Sequence, residues 1–336
     1  MNNKIILFLI LTIISSVHSN PLPLYIINSY DNLTLSIINP NTGNLTPYLS
    51  LNQNEQIEYS KILYMNSTTI MAFGSTENSG GELVYQYIDI ANNDNSQTVY
   101  YTLPDFFIYY NMHFNPNTNL IYMLNETTLT IQSINPLNYQ YTGDLNITLP
   151  SVLSLALAFG YVDTILDRNE NIFYLYVSVT PFPDGLEIDY QNTQYPCSKY
   201  LGCNYLFSIH LGYYVMDSLD LGFLFKEFNF AMVMSSTSIL GFTGVQDTPY
   251  QTGTINIVDF NPQTGKSKTL YKSKLPIDVQ SFSADPQNGL IYLMDIPYST
   301  SDCILSTYNY KSNDVTSIQI PPSSGYIIRV EDIPTN

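Results

Sequence analysis

The chain predicts an all-β fold made of one unit repeated around a circle, and three observations predict it. First, the phrase DPQNGLIYLMD (285–295) has gap-free relatives in NPNTNLIYMLN (115–125) and DRNENIFYLYV (167–177). Each opens on Asn or Asp and a turn-forming set, then runs into apolar residues, the pattern of a tight turn feeding a buried strand. Second, NSTTIMAFGS (66–75) and SSTSILGFTG (235–244) match each other, and LYIINSYDNLTLSIINPNTGNLTPYL (24–49) supplies a sixth copy. Third, with Tyr25, Met71, Tyr122, Tyr174, Leu240 and Tyr292 taken as equivalent, the spacings are 46, 51, 52, 66 and 52 residues. Counted from Tyr292 through the C-terminus and on from the expected mature N-terminus to Tyr25, the spacing is again 50. A strand-and-turn repeat of that length that closes on itself is the signature of a β-propeller whose N-terminal blade is completed by the C-terminal strand.

Taken in order, residues 1–19 read as a signal peptide. Lys4 precedes the apolar run 5–14, and Val17-His18-Ser19 suits signal peptidase. The run falls short of the roughly 20 residues a membrane span needs; an uncleaved anchor is the other reading. Residues 20–336 then form a single propeller domain. Its six blades are expected at about 20–52 with 324–336, 57–104, 105–150, 151–222, 223–276 and 277–323, with seven blades the alternative. Four strands per blade are expected, in the third at about 107–114, 120–124, 128–134 and 141–149. Leu-Pro pairs at Leu103-Pro104, Leu149-Pro150 and Leu275-Pro276 punctuate the outer strands. Abundant Tyr, Ile, Val and Thr without long helical periodicity suits packed sheets.

These phrases resemble a known repeat. Tyr25-Ile26-Ile27-Asn28 followed by LTLSIINPNTGNL is similar to the YVTN-type propeller repeat, in which Tyr, an apolar residue, any residue and Asn precede a strand ending in an Asp/Asn-Pro-x-Thr-Gly turn. Tyr122-Met123-Leu124-Asn125, Tyr292-Leu293-Met294-Asp295 and the turn Asn261-Pro262-Gln263-Thr264-Gly265 fit the pattern. The fourth blade departs with Val177, and the second and fifth lack the Tyr. The resemblance implies a superfold that hosts many functions.

A formal net charge of −17 repels phosphate backbones and anionic lipid, which argues against nucleic acid and membrane-surface partners. The apolar stretch 152–162 is short and broken by Ser154 and Gly160, so no membrane span is expected after signal cleavage. The polar C-terminus RVEDIPTN matches neither a lipid-anchor tail nor a retention signal, and the expected destination is extracellular. In that compartment Cys197 and Cys203, in CSKYLGC, are the first choice for a local disulfide; Cys303 pairing with one of them or with another chain is the alternative. Sequons place N-glycosylation candidates at Asn32, Asn44, Asn66, Asn125 and Asn146, in a number that the Asn, Ser and Thr content gives by chance.

Function is sought in the connections. Those between second and third strands are the longer ones, at 74–81, 180–204, 243–253 and 296–303, and they emerge on one face. On that face Asp184, Glu187, Asp189, Tyr190, Tyr195, Tyr250 and Tyr298 are binding candidates, for acidic groups and rigid, polar-tipped rings suit recognition of a protein or glycan. The bland reading is that the long loop covers a channel mouth and that 30 tyrosines make any loop Tyr-rich. An enzymatic alternative rests on resemblance to six-bladed calcium-dependent lactonases, which hold a metal in the central channel. That resemblance implies Glu58, Asp105, Asn229 and Asp278 as oxygen ligands near the starts of innermost strands. They stand 8, 10, 6 and 7 residues before the following turn, at uneven depths.

No G-x-S-x-G, H-E-x-x-H, phosphate-loop or EF-hand pattern occurs, and His113 and His210 read as strand-packed histidines. The expectation is therefore a secreted, non-catalytic recognition protein needing no cofactor, with a calcium-dependent lactonase or esterase as the alternative.

Overall fold

The computed structural model describes residues 24–28, 34–50, 57–66, 69–76, 83–89, 92, 94–101, 107–125, 128–136, 140–145, 149–180, 195, 197, 202–222, 228–245, 254–272, 279–285, 288–295, 303–320 and 325–327. The described strands follow the chain in groups of four. Strands β1 (Leu24–Asn28), β2 (Thr34–Ile38) and β3 (Leu45–Ser50) begin the first sheet. The second holds β4 (Ile57–Asn66), β5 (Thr69–Thr76), β6 (Leu83–Asp89) and β7 (Asp94–Tyr101). The third holds β8 (Phe107–Asn115), β9 (Leu120–Asn125), β10 (Thr130–Asn135) and β11 (Gln140–Asp144). The fourth holds β12 (Gly160–Asp167), β13 (Ile172–Val179), β14 (Cys203–His210) and β15 (Val215–Asp220). The fifth holds β16 (Phe228–Ser235), β17 (Ser238–Val245), β18 (Thr254–Phe260) and β19 (Ser267–Lys272). The sixth holds β20 (Val279–Asp285), β21 (Leu290–Asp295), β22 (Cys303–Asn309) and β23 (Asp314–Ile320). Strand β24 (Gly325–Ile327) then returns to pair antiparallel with β1, Ile26 opposite Ile327.

The turn phrases fold as their composition dictates. In six five-residue turns the first residue is Asn39, Asn115, Asp167, Asn261, Asp285 or Asn309, and its side-chain oxygen accepts backbone N–H bonds from two or three residues on. The fifth residue is Gly43, Asn119, Asn171, Gly265, Gly289 or Asn313, at φ between 53 and 75°. Gly and Asn are the residues that tolerate this left-handed region. The Asn/Asp that opens each phrase therefore sets the turn, and the Gly or Asn that ends it lets the chain reverse.

Side chains behind these turns pack between sheets. One apolar cluster joins the second and third sheets through Leu63, Phe73, Met112 and Phe114. Others join third to fourth, fourth to fifth and fifth to sixth. A further cluster joins the last sheet to the first, with Tyr292, Met294 and Leu305 against Leu24, Ile26 and Ile38. First strands of successive sheets adjoin in the order β4, β8, β12, β16, β20, β24. Burial fades outward: β13 is buried throughout, whereas the outer strands β15 and β19 are mostly exposed. This is a β-propeller.

One element departs from the all-strand expectation. Helix α1 (Val152–Phe159) precedes β12 and packs on β12 and β13. Its sequence VLSLALAF is rich in Leu and Ala, good helix formers. Val152, Leu153 and Ala156 bury into the cluster shared by the third and fourth sheets. Among the described residues no helix is long and apolar enough to cross a membrane.

Candidate functional site

The innermost strands leave one edge without a ladder partner, and polar side chains meet those edges. Asp163 in β12 is buried and accepts a 2.6 Å bond from the backbone N–H of Phe230 in β16. Beside it the Tyr161 hydroxyl donates to Asn229 Oδ1. On the other face of β12, Thr164 donates to Asn111 Oδ1 at 3.0 Å and lies 2.7 Å from His113 Nε2. The His113 ring meets Phe173 edge-on, with centroids 5.4 Å apart. His113 is thus the strand-packed histidine expected of it. Asp163 within GYVDTILD, the one of its two Asp residues that does not open a turn phrase, was the signal that could have singled it out, because carboxylates are rarely buried without partners.

Of the proposed calcium ligands, the structure describes the backbone position of Glu58 and the side chain of Asn229. Glu58 is the second residue of β4, opposite Ser75, and Asn229 the second of β16, its amide oxygen engaged by Tyr161. Asp105 and Asp278 lie outside the described residues. No group of three or more His, Cys, Asp or Glu side chains fit to hold a metal occurs among the described residues. The unequal counts to the following turn have a physical cause: β4, β16 and β20 each carry a register shift near their start, between Tyr59 and Lys61, Phe230 and Met232, and Val279 and Ser281. A bulge adds a residue to one strand only, so counting back from a turn does not measure depth.

The connection 180–202 is anchored at its C-terminal end. Cys197 and Cys203 form a disulfide, with Cα atoms 5.0 Å apart. Tyr195 is buried edge-on against Tyr205 and Phe207, at centroid distances of 5.6 and 5.2 Å. This corrects its role as a surface contact: the ring is part of the core and pins the loop. A Cβ on Gly202, at φ +75°, would stand 2.1 Å from the Val179 carbonyl oxygen, so only glycine lets the chain return this closely. Asp184, Glu187, Asp189, Tyr190, Tyr250 and Tyr298 lie outside the described residues.

A second correction concerns Asn125, which is 0% exposed and accepts a 3.0 Å bond from the Thr128 N–H. It is a turn residue with no room for a glycan. Asn44 is exposed in the β2–β3 turn and Asn66 ends β4, while Asn32 and Asn146 lie outside the described residues. Cys303 is a buried thiol within the cluster that joins the last and first sheets, not a partner of Cys197 or Cys203.

No protein-family model matches the chain, and no curated protein sequence matches it. Solved structures match at the level of fold. A chain of the Nidogen/Laminin complex is similar at TM-score 0.54, with 7% identity over 90% of this chain and 96% of that one. The putative TolB of Agrobacterium tumefaciens is similar at 0.51, with 8% identity and 92% of each chain covered. A GH74 enzyme of Niastella koreensis is similar at 0.52 and 11% identity over 90% of this chain, which spans 46% of that enzyme.

Proposed function

We propose that this chain is a secreted, six-bladed β-propeller that recognises an extracellular protein or glycan without catalysis, through the face bearing its second-to-third connections. The anchoring of the connection 180–202 carries this reading. A disulfide, a buried ring and an obligate glycine tie the C-terminal end of that connection to the β13–β14 pair, and a loop tied at its end has less entropy to lose on contact. Six four-stranded sheets, one of them made of β1–β3 and the C-terminal strand β24, support the blade count. One similar fold was solved as a nidogen/laminin complex, an assembly of the kind proposed for this chain. Glycans at Asn32, Asn44, Asn66 and Asn146 and cleavage after Ser19 belong to the same reading.

The test is to express the full chain in a secretory host, sequence its N-terminus, and screen arrays of extracellular proteins and glycans. A variant with residues 182–194 replaced by a Gly-Ser linker runs in parallel. The expected result is an N-terminus at Asn20 and a ligand lost in the linker variant at unchanged melting temperature. Stoichiometric calcium and lactone hydrolysis, both lost in Asp105→Ala and Asp278→Ala, would overturn it in favour of the hydrolase.

A further inference from the structure

At the other end of the sheets, where the first-to-second and third-to-fourth turns gather, a cleft of about 560 Å³ opens between the fourth and fifth sheets. Its walls include Glu170, Tyr174, His210, Asp217, Ser236 and Gln263, and among the described residues no Lys or Arg lines it. His210 Nε2 stands 3.6 Å from Asp217 Oδ2. Burial, followed by the charges of Asp167 and Glu170, pushes the Tyr174 phenol up to about 12, so it remains a neutral hydrogen-bonding group.

The hairpin that contributes His210 and Asp217 to this cleft breaks the turn rule of the repeat. Between β14 and β15 the backbone makes the same five-residue turn, with Tyr214 N–H bonded to His210 O at 2.9 Å and Tyr214 at φ 56°. Yet His replaces the Asn/Asp of the first position and Tyr the Gly/Asn of the fifth. Both changes oppose local preference, and unfavourable backbone held in place by its surroundings concentrates at working sites. In exchange the tip presents Tyr213 at 84%, Tyr214 at 55% and Val215 at 49% exposure, while Met234, two residues from the lining Ser236, is 41% exposed.

We propose that this cleft and hairpin tip form a docking site for an arginine side chain presented by a protein partner. Glu170 and Asp217, with no lining Lys or Arg among the described residues, complement a positive charge. Among cations the guanidinium both pairs with carboxylates in a planar fork and stacks on an aromatic face. Tyr213, Val215 and Met234 are exposed within two or three residues of the lining His210, Asp217 and Ser236, an area a small free ligand would leave uncovered, and exposed Tyr and Met suit a protein interface. The site is independent of the connection 180–202 and stands or falls separately.

The test follows the Met234 methyl resonance of the full chain, labelled at methionine methyls and assigned with Met234→Leu. The titrant is N-acetyl-arginine-methylamide, with N-acetyl-glutamine-methylamide as the neutral control. A saturable shift with the arginine probe alone is expected. It should weaken at least about fivefold in Glu170→Gln/Asp217→Asn through loss of the charged pairs, and about threefold in Tyr213→Ser through loss of the stacked ring. The wild-type comparison of the two probes is decisive without any variant. An absent shift, an equal shift with the neutral probe, or an undiminished shift in the double variant would overturn the proposal. So would self-association in sedimentation velocity that Tyr213→Ser abolishes, since the tip would then serve a second copy of the chain.

Discussion

Tyr174, Tyr205 and Tyr292 are buried, and burial pushes each phenol up to about 12, with a nearby carboxylate adding to it: Asp167, Asp220 and Asp285 respectively. In the unfolded chain these phenols ionise near 10. Between the two values the folded state holds protons that the unfolded state has released, so stability, complete below about pH 10, falls as the pH rises towards 12. Phenolate absorbance and circular dichroism should show these three rings ionising only as the fold is lost. Ionisation of all 30 tyrosines near pH 10 with the fold intact would contradict this. Tyr292→Phe sharpens the test. Its hydroxyl is buried without a hydrogen-bond partner among the described residues, so the variant should keep its stability at neutral pH and unfold at higher alkalinity than the parent. The repeat tyrosines were legible in the sequence because equivalent rings do equivalent packing in successive sheets. Tyr195 and Asn125 were not, because the roles confused there share one composition. A Tyr-rich loop reads alike whether its rings face solvent or the core, and an Asn two residues before Thr is at once a sequon and a turn residue.

At the scale of elements, the turn from His210 to Tyr214 is a natural experiment within one chain. A side chain other than Gly, Asn or Asp in the left-handed region costs about 1–2 kcal/mol, and six sister turns avoid that cost with Gly or Asn. Tyr214→Asn should therefore stabilise the fold by about 1 kcal/mol, raising the calorimetric melting temperature by about 2 °C. A lower melting temperature would mean that the contacts of the Tyr214 side chain are worth more than the strain costs. Gly265→Ala is the counterpart. It places a Cβ at φ +69° and 3.0 Å from the Leu221 side chain, and should lower the melting temperature. Turns and strands were legible because their chemistry is local. Bulges in β4, β16 and β20 were not, since which strand takes the extra residue is decided by pairing with a neighbour. Helix α1 was hidden for a related reason: an apolar run of that length reads as strand or helix until its packing is known.

The circular spacing of the repeat was legible from six equivalent positions, and what it implied for the whole molecule is a ring held shut by very little chain. Strand β24 contributes three paired residues, Gly325, Tyr326 and Ile327, opposite Asn28, Ile27 and Ile26. The larger part of the closure is apolar, Leu24, Ile26 and Ile38 packed on Tyr292, Met294, Leu305 and Ile320. These contributions act at different levels. The apolar cluster holds the first and last sheets together, whereas β24 covers the inner edge of β1 and adjoins β20. Ending the chain at residue 324 should therefore leave the sheets assembled but uncover an edge strand, and an uncovered edge is a template for another chain. The expected product melts below the parent and associates with rising concentration in sedimentation velocity. A synthetic peptide of residues 322–336, added in trans, should restore both properties by supplying the missing strand. A truncated chain that stays monomeric with an unchanged melting temperature would show instead that packing alone closes the ring. Failure of the peptide to rescue an associating chain would place the stabilising contribution of the C-terminal segment in its covalent tether, which keeps the strand at high effective concentration beside β1.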